Sequence, residues 1–146
     1  MSQENVEILR TAFDAWNRGA LQPTLDHLDP DLEWEENPDV YPGLDRIYRG
    51  HDGFLKRQRD AFDMWEWFKA EPQEIIDEGE HVVVLLHLSA KGRHSGIEVE
   101  MSVYDCFTFR DGKVVRRRLY ATRAEALKAV GLEESAPRDL GGSKRG

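Results

Sequence analysis

Cysteine is nearly absent from this 146-residue chain, which contains only Cys106. A single thiol cannot close an intrachain disulfide, and a reducing compartment suits such a protein. The five histidines show no spacing of two or three ligands with acidic residues, so we expect no metal site. A phosphate-cradling glycine loop and a nucleophile elbow are also missing. We therefore expect no cofactor.

Long apolar runs and excess positive charge are also lacking. No run approaches the roughly 20 apolar residues that span a bilayer, and MSQENVEILR does not resemble a secretory signal. The chain has 20 Lys and Arg against 28 Asp and Glu, a formal net charge of −8. Nucleic-acid binding needs clustered positive potential, whereas Arg116, Arg117 and Arg118 would point to alternate faces of a strand. We expect a cytoplasmic protein with neither a nucleic-acid nor a membrane partner.

The length and the 40% apolar content fit one domain, expected over residues 1–132, with a disordered tail over 133–146. Apolar residues at intervals of three and four predict helices over 3–18, 21–28, 51–65 and 123–130. Alternating patterns predict strands over 32–36, 67–77, 81–91, 97–110 and 113–120, joined by turn-forming residues. Helices first and a strand meander afterwards indicate an α+β fold. We expect a strongly curved antiparallel sheet packed on three helices, with a concave small-molecule pocket.

The stretch MSVYDCFTF places an acid in an apolar row. Read as a strand, one face carries Met101, Val103, Asp105, Phe107 and Phe109. A buried charge must be paired, hydrogen-bonded, protonated or solvated. The partner of Asp105 depends on how the following hairpin turns.

Two hairpin registers are compatible with the sequence. A two-residue turn at Asp111 and Gly112 would place Asp105 opposite Arg118. A three-residue loop that includes Arg110 would place Asp105 opposite Arg117 and keep one face almost wholly apolar. We favour the second register, which predicts an ion pair between Asp105 and Arg117 on the inner face. The pair would either line a pocket or serve as a satisfied structural pair.

Three segments carry a resemblance to a known family. They are a first helix that ends in Asn-x-Gly, a YRGHDG loop and a late RDGK hairpin. With this order of elements, residues from about 4 to 132 resemble the SnoaL-like group of the nuclear transport factor 2-like (NTF2-like) superfamily, which includes polyketide cyclases and relatives of ketosteroid isomerase. The resemblance implies a conical barrel with a small-molecule pocket. One fold hosts many functions, so it implies an activity only weakly.

The resemblance also assigns positions. Asp105 matches the protonated acid in the oxyanion hole of ketosteroid isomerases, although Arg117 is expected to favour its ionised form. Asn37 stands where those isomerases carry their base, and Thr122 stands where many cyclases carry an acid. Glu35 or Glu36 could supply a base if the chain leaves its strand differently.

From these arguments we predict Asp105 and Arg117 as catalytic residues. The expected substrate-binding residues are Trp16, Trp34, Asn37, Tyr48, His51, Trp65, His87, Val103 and Leu119. For His87, strand parity leaves both faces open, because both faces of its strand are largely apolar.

Two functions follow. The first is a cofactor-free isomerase, cyclase or hydrolase that acts on a small apolar molecule bearing an oxygen function. The second is a non-catalytic module that binds a small ligand or a partner protein. Strand 81–91 is apolar on both faces and needs cover on its outer side, from which we predict a homodimer.

Overall fold

The computed structural model describes residues 2–41 and 43–131. This part of the chain contains four helices and six strands. The helices are α1 (Ser2–Asn17), α2 (Gln22–Leu25), α3 (Gly50–Met64) and α4 (Arg123–Ala129). The strands are β1 (Leu28–Glu35), β2 (Ile47–Arg49), β3 (Trp65–Glu78), β4 (His81–Gly92), β5 (Glu98–Arg110) and β6 (Lys113–Tyr120). In the described part, no helix is both long enough and apolar enough to cross a bilayer. The tail expected over 133–146 lies outside the described residues.

The six strands form one curved sheet in the order β2-β1-β6-β5-β4-β3. The expected α+β architecture, a curved sheet packed on helices, is confirmed, with two corrections. The sheet is mixed, because β1 runs parallel to β6 while the other neighbours are antiparallel. The sequence from Leu28 to Asp31, expected to end a helix and break the pattern, instead begins β1. The register between β1 and β6 shifts after Leu28, which accommodates Pro30 in that strand.

Helices cover both faces of the sheet. On the inner face, Leu9 and Phe13 of α1 and Phe54 of α3 join the main apolar core. The end of α1 is also fastened to strand β3, because Asn17 Nδ2 donates to Ala70 O at 2.7 Å and Asn17 Oδ1 accepts from Ala70 N at 3.0 Å. The amide group of Asn17 therefore satisfies backbone groups on an edge strand.

A smaller apolar cluster lies on the outer face. Val83 of β4, Cys106 of β5 and Ala126 of α4 are buried against one another. The cover that a second subunit was expected to provide therefore comes in part from α4. The same strand parity places His87 on the outer face, where its Nε2 lies 2.9 Å from Glu100 Oε1. His87, expected among the substrate-binding residues with its face left open, therefore lies away from the inner face on which the pocket was expected.

The hairpin between β5 and β6 turns through two residues. Arg110 pairs with Lys113, and both Asp111 (φ 54°) and Gly112 (φ 78°) have positive φ values. Positive φ at both central residues is the type I′ geometry, which matches the twist of paired strands. The favoured three-residue loop is wrong.

A bulge then changes the register once more. Val115 is skipped in the pairing, so that beyond it Asp105 faces Leu119 and Phe107 faces Arg117. Arg117 therefore lies diagonally from Asp105, two residues away along the strands, and not directly opposite it. Both residues remain on the inner face. Sequence parity therefore gave the correct face even though both registers considered were wrong beyond the turn.

The turn geometry can be tested by replacing Asp111. Asp111→Ala should cost about 1 kcal/mol of unfolding free energy, because a Cβ without a polar side chain disfavours the left-handed conformation. Asp111→Asn should stay within about 0.5 kcal/mol, because Asn tolerates positive φ. Urea denaturation of both variants measures the difference. Equal stabilities of the two variants would contradict the two-residue turn.

Candidate functional site

Asp105 and Arg117 meet on the inner face of the sheet. Arg117 Nε donates to Asp105 Oδ1 at 2.9 Å, which confirms the predicted ion pair. Pairing of the strands places Asp105 between Val84 of β4 and Leu119 of β6. The two charged residues are only 1% and 2% exposed, so the pair lies inside the core instead of lining an open mouth.

Arg117 also binds a second carboxylate, that of Glu36. Its Nη1 lies 2.9 Å from Glu36 Oε2, and the same nitrogen donates to Glu35 O at 3.1 Å. The guanidinium carbon lies 4.6 Å from the ring centroid of Trp34, the residue that pairs with Arg117 across the parallel joint. Trp34 Nε1 completes the arrangement by donating to Glu36 Oε2 at 2.9 Å.

A second guanidinium reaches Glu36 from helix α3. Arg57 Nε donates to Glu36 Oε2 at 2.7 Å, and Arg57 Nη1 donates to Gln58 Oε1 at 3.3 Å. Its guanidinium carbon lies 5.7 Å from the ring centroid of Trp16 and 5.4 Å from that of Tyr41. We call Glu36, Arg57, Asp105 and Arg117 the charge network. It contains two acids and two guanidinium groups and is buried throughout.

Two carboxylate oxygens of the charge network are buried without a hydrogen-bond partner in the described residues. They are Glu36 Oε1 and Asp105 Oδ2. Buried polar atoms are usually satisfied by protein or water, so each of these oxygens has capacity for a water molecule or a polar ligand group. The other oxygen of each carboxylate is the one that the guanidinium groups hold.

The environment separates the two acids in their affinity for a proton. Burial alone would raise the pKa of Glu36, but Arg117 and Arg57 lower it to about 2. Burial raises the pKa of Asp105, and Arg117 opposes that shift only in part while Glu36 adds to it. The reason is that Glu36 receives both guanidinium groups, whereas Asp105 receives one that it shares. Arg117 was expected to favour the ionised form of Asp105, but the effect of burial is larger, so the pKa of Asp105 is raised.

Four of the predicted substrate-binding residues lie at the charge network. Trp34 and Trp16 stack on its guanidinium groups, and Leu119 is paired with Asp105. Val103 is buried on the same strand face, two residues before Asp105. These residues enclose the network, and their apolar surfaces explain why its charges are poorly solvated.

Three other predicted residues have structural partners elsewhere. Asn37 Nδ2 donates to Leu119 O at 3.3 Å, while its Oδ1 accepts from Asp39 N. The Tyr48 hydroxyl donates to Asp60 Oδ2 at 2.7 Å, and His51 Nε2 lies 2.7 Å from the backbone oxygen of residue 28. The structure thus assigns fold-stabilising contacts to side chains that the sequence suggested for a ligand.

A broad groove lies on the other side of Arg57. It has a volume of about 860 Å³ and runs between the end of α1, helix α3 and the start of β3. Arg57, Trp16 and the predicted residue Trp65 line it, as do Phe68 and Ala70. Arg57 therefore belongs to both the groove and the charge network. In the described residues, no three His, Cys, Asp or Glu side chains come together as a metal site would require.

Glu36 was expected only as an alternative base, and Arg57 was not predicted. Glu36 follows Leu32 and Trp34 at a spacing of two, which places it on the inner face of β1 and its continuation. Arg57 follows the buried Phe54 at a spacing of three, on the apolar side of α3. In both cases, as for Asp105, the available signal was a charged residue at a position that continues the spacing of an apolar face.

Comparison with known proteins agrees with this architecture. A family model described as a SnoaL-like domain matches residues 9–117. No curated protein matches the sequence. An NTF2-like protein of unknown function from Burkholderia pseudomallei K96243 has a TM-score of 0.75 and 24% identity, and the match covers 88% of this chain and 98% of that one.

Two further solved structures share the fold. TerC, co-crystallised with polyporic acid, has a TM-score of 0.74 and 22% identity over 82% of this chain and 92% of its own. A candidate SnoaL-like polyketide cyclase from Jannaschia sp. CCS1 has a TM-score of 0.71 and 19% identity, with coverage of 92% and 94%. At these identities the likeness shows the fold.

The charge network predicts different costs for two neighbouring substitutions. Glu36→Gln should lose about 3 to 5 kcal/mol of unfolding free energy at pH 7, because it leaves Arg57 and Arg117 short of a buried counter-charge. Glu35→Gln should lose about 1 kcal/mol or less, because Glu35 binds the more exposed Arg116 and Arg118. Urea denaturation measures both losses.

The stability lost in Glu36→Gln should depend on pH. The folded pKa of Glu36, about 2, lies below its ordinary value of 4.5, so its contribution of about 3 kcal/mol is complete above pH 4.5 and is lost as the pH falls toward 2. The stability gap between the unsubstituted protein and Glu36→Gln should narrow over that interval. A gap that stays constant down to pH 2 would show that the carboxylate of Glu36 is not specially stabilised.

Proposed function

The chain belongs to the SnoaL-like domain family, and from that premise we propose that it binds a small, largely apolar molecule with an oxygen function and transfers a proton to it without a cofactor. The reaction class would be isomerisation, cyclisation or hydrolysis. Each of these passes through a state in which negative charge develops on a substrate oxygen or a proton is transferred to one.

One observation supports this proposal above the others. Two carboxylates share the guanidinium of Arg117, yet the pKa of Asp105 is raised while that of Glu36 is lowered. Neighbouring acids whose environments separate their pKa values are a common basis for assigning acid and base roles. Asp105 is the acid of this pair, and its Oδ2 is the oxygen that remains available for a proton.

We assign a separate role to each member of the charge network. Asp105 donates the proton from Oδ2 to the substrate oxygen, and the O–H bond that breaks leaves a carboxylate. Arg117, which already donates to Asp105 Oδ1, balances the charge of that carboxylate, and solvent or product returns the proton. Glu36 and Arg57 act as positioning residues, because Glu36 holds Arg117 and Arg57 holds Glu36.

A ligand must reach an acid that is enclosed in the resting structure. Arg57 is the residue that the groove and the charge network have in common. Its guanidinium fills the space between Trp16 and Tyr41, above Glu36. We propose that the apolar body of the substrate lies in the groove and that displacement of Arg57 opens the way toward Asp105.

A second candidate function is a non-catalytic binding module of the same fold. Two side chains favour it, because the positions that would hold the base of the isomerases or the acid of the cyclases carry Asn37 and Thr122. Both are used by the fold: Asn37 binds Leu119 O, and the Thr122 side chain accepts from Glu125 N at the start of α4. In such a module, the charge network would organise the core beneath a ligand-binding groove.

We also propose that the protein is a cytoplasmic homodimer, paired through the outer sheet face beyond α4. Support comes from Trp67, a large side chain on that face that is 41% exposed, and from the partly exposed Leu85. Sedimentation equilibrium at micromolar concentration should give twice the chain mass of 16.8 kDa. A mass near that of one chain would refute the dimer.

The catalytic proposal is tested by Asp105→Asn, after a thermal-shift screen of ketones, lactones, epoxides and aromatic polyketides has found a ligand. The variant should lower turnover at least about 100-fold and change ligand affinity less than about threefold, because it removes the acid but keeps the shape. Asp111→Asn, an exposed substitution in the same hairpin, is the matched control and should change neither.

The pH profile adds an independent readout. Since the acid must be protonated, kcat of the unsubstituted enzyme should fall as the pH rises through the raised pKa of Asp105. Equal losses of binding and turnover in Asp105→Asn, or no turnover with any ligand that binds, would favour the non-catalytic module.

A further inference from the structure

A guanidinium group fills an aromatic box at the inner side of the groove. The guanidinium carbon of Arg57 lies 5.7 Å from the ring centroid of Trp16 and 5.4 Å from that of Tyr41. Its Nε donates to Glu36 Oε2 at 2.7 Å. Aromatic faces and a carboxylate are the groups with which proteins recognise organic cations. We call the space bounded by Trp16, Tyr41 and Glu36 the cation box.

The cation box holds a cation in preference to solvent. Arg57 also lines the groove, and an arginine side chain is long and flexible enough to extend toward water. The residue is nevertheless only 2% exposed, whereas Lys56 and Arg59 on the same helix are exposed. Burial of a charged group is costly unless its surroundings compensate for it. The position of Arg57 therefore reflects the affinity of the cation box for a positive charge.

The cation box is continuous with the groove. Trp16 forms a wall of both, and Arg57 is the side chain that separates Glu36 from the groove. Besides its bond to Glu36, Arg57 makes a long hydrogen bond from Nη1 to Gln58 Oε1 at 3.3 Å. Because Arg57 belongs to helix α3, a change of its rotamer vacates the cation box and leaves the strands in place.

The balance of charge favours a positively charged replacement for Arg57. When Asp105 is ionised, the charge network contains two carboxylates, and displacement of Arg57 leaves Arg117 as the one cation within the network. In the proposed reaction, this is the state after Asp105 has donated its proton. A buried carboxylate without a counter-charge is strongly destabilised. A ligand that displaces Arg57 avoids that cost if it brings a cationic group of its own.

We infer that the cation box accepts the guanidinium or ammonium group of a ligand in place of Arg57, while the apolar body of that ligand lies in the groove. The inference deepens the proposed function, because it rests on the opening at Arg57 and adds a positive charge to the substrate class. It does not require Asp105 to be catalytic. Trp16 and Tyr41 determine specificity here, and neither takes part in proton transfer.

The first experiment empties the cation box. Arg57→Ala removes an ethylguanidinium group from the side chain, and added ethylguanidinium can restore it. Ethylurea has nearly the same shape but carries no charge. At millimolar concentration, ethylguanidinium should raise the melting temperature of Arg57→Ala in a saturable way, and it should bind at least about tenfold more tightly than ethylurea, because only the cation gains the cation–π contacts and the bond to Glu36.

Arg59→Ala is the matched control for the empty box. It removes an exposed arginine from the same helix and the same groove but leaves the cation box filled. Ethylguanidinium should raise its melting temperature no more than it raises that of the unsubstituted protein.

The second experiment measures displacement of Arg57 in the unsubstituted protein. The probes are hexylguanidinium and hexylurea, whose chains supply an apolar body for the groove. The readout is the Nε–H signal of Arg57 in a ¹⁵N-correlated NMR spectrum, which its loss in Arg57→Lys identifies. Hexylguanidinium should shift or broaden that signal in a saturable way and bind at least about tenfold more tightly than hexylurea. Arg57→Ala should bind hexylguanidinium at least about fivefold more tightly still, because no internal cation has to leave.

The outcomes separate this inference from the catalytic proposal. Equal stabilisation of Arg57→Ala by ethylurea, or an Arg57 signal that saturating hexylguanidinium leaves unmoved, would overturn the inference. If Arg57→Ala does not fold, the Arg57 signal of the unsubstituted protein decides alone. Asp105→Asn should bind hexylguanidinium within about threefold of the unsubstituted protein. Cation binding without turnover of any ligand would support this inference and favour the non-catalytic module. Asp105-dependent turnover of neutral substrates without cation binding would remove this inference alone.

Discussion

The inner face of the fold depends on the placement of one guanidinium between two carboxylates. Arg117 projects from β6 and binds Asp105 of β5 and Glu36 beyond β1, so it joins the three strands that meet where the sheet changes from antiparallel to parallel. Removing one partner from such a group costs several kcal/mol, whereas an apolar replacement of the whole group can be neutral or better. Stability therefore explains why the members depend on one another, but it does not explain why the charges are there.

The unequal sharing of donors gives the charge network its chemical character. One oxygen of Glu36 accepts from Trp34, Arg57 and Arg117, whereas Asp105 accepts from Arg117 alone among the residues that the structure describes. Each added donor stabilises the ionised form, and burial destabilises it. Within the same apolar enclosure, the pKa of one carboxyl group is thus lowered and that of the other is raised. Two chemically similar side chains acquire different properties from the number of cations within reach.

Strand parity could be read from the sequence, but the register and the partners of the charges could not. Alternation placed Asp105 and Arg117 on one face, and two residues of slip at the turn and the bulge preserve that parity. The bulge at Val115 depends on packing between strands, which no local pattern reports. Arg57 could not be predicted, because the role of a charge on the apolar side of a helix follows from its partner, which here is Glu36. For His87, the choice of face required α4 and the outer cluster to be in place.

Burial that raises the pKa of Asp105 also encloses it, and Arg57 lies between this enclosed acid and the groove. If Arg57 turns toward the groove, Glu36 loses one of its two cations and binds Arg117 more strongly. Asp105 then receives a smaller share of Arg117, which favours its protonated form further. Opening at Arg57 would admit solvent, which lowers the pKa of Asp105. The redistribution of charge raises that pKa and so opposes the effect of solvent. Because the two effects oppose each other, the proposed opening at Arg57 is compatible with a raised pKa of Asp105.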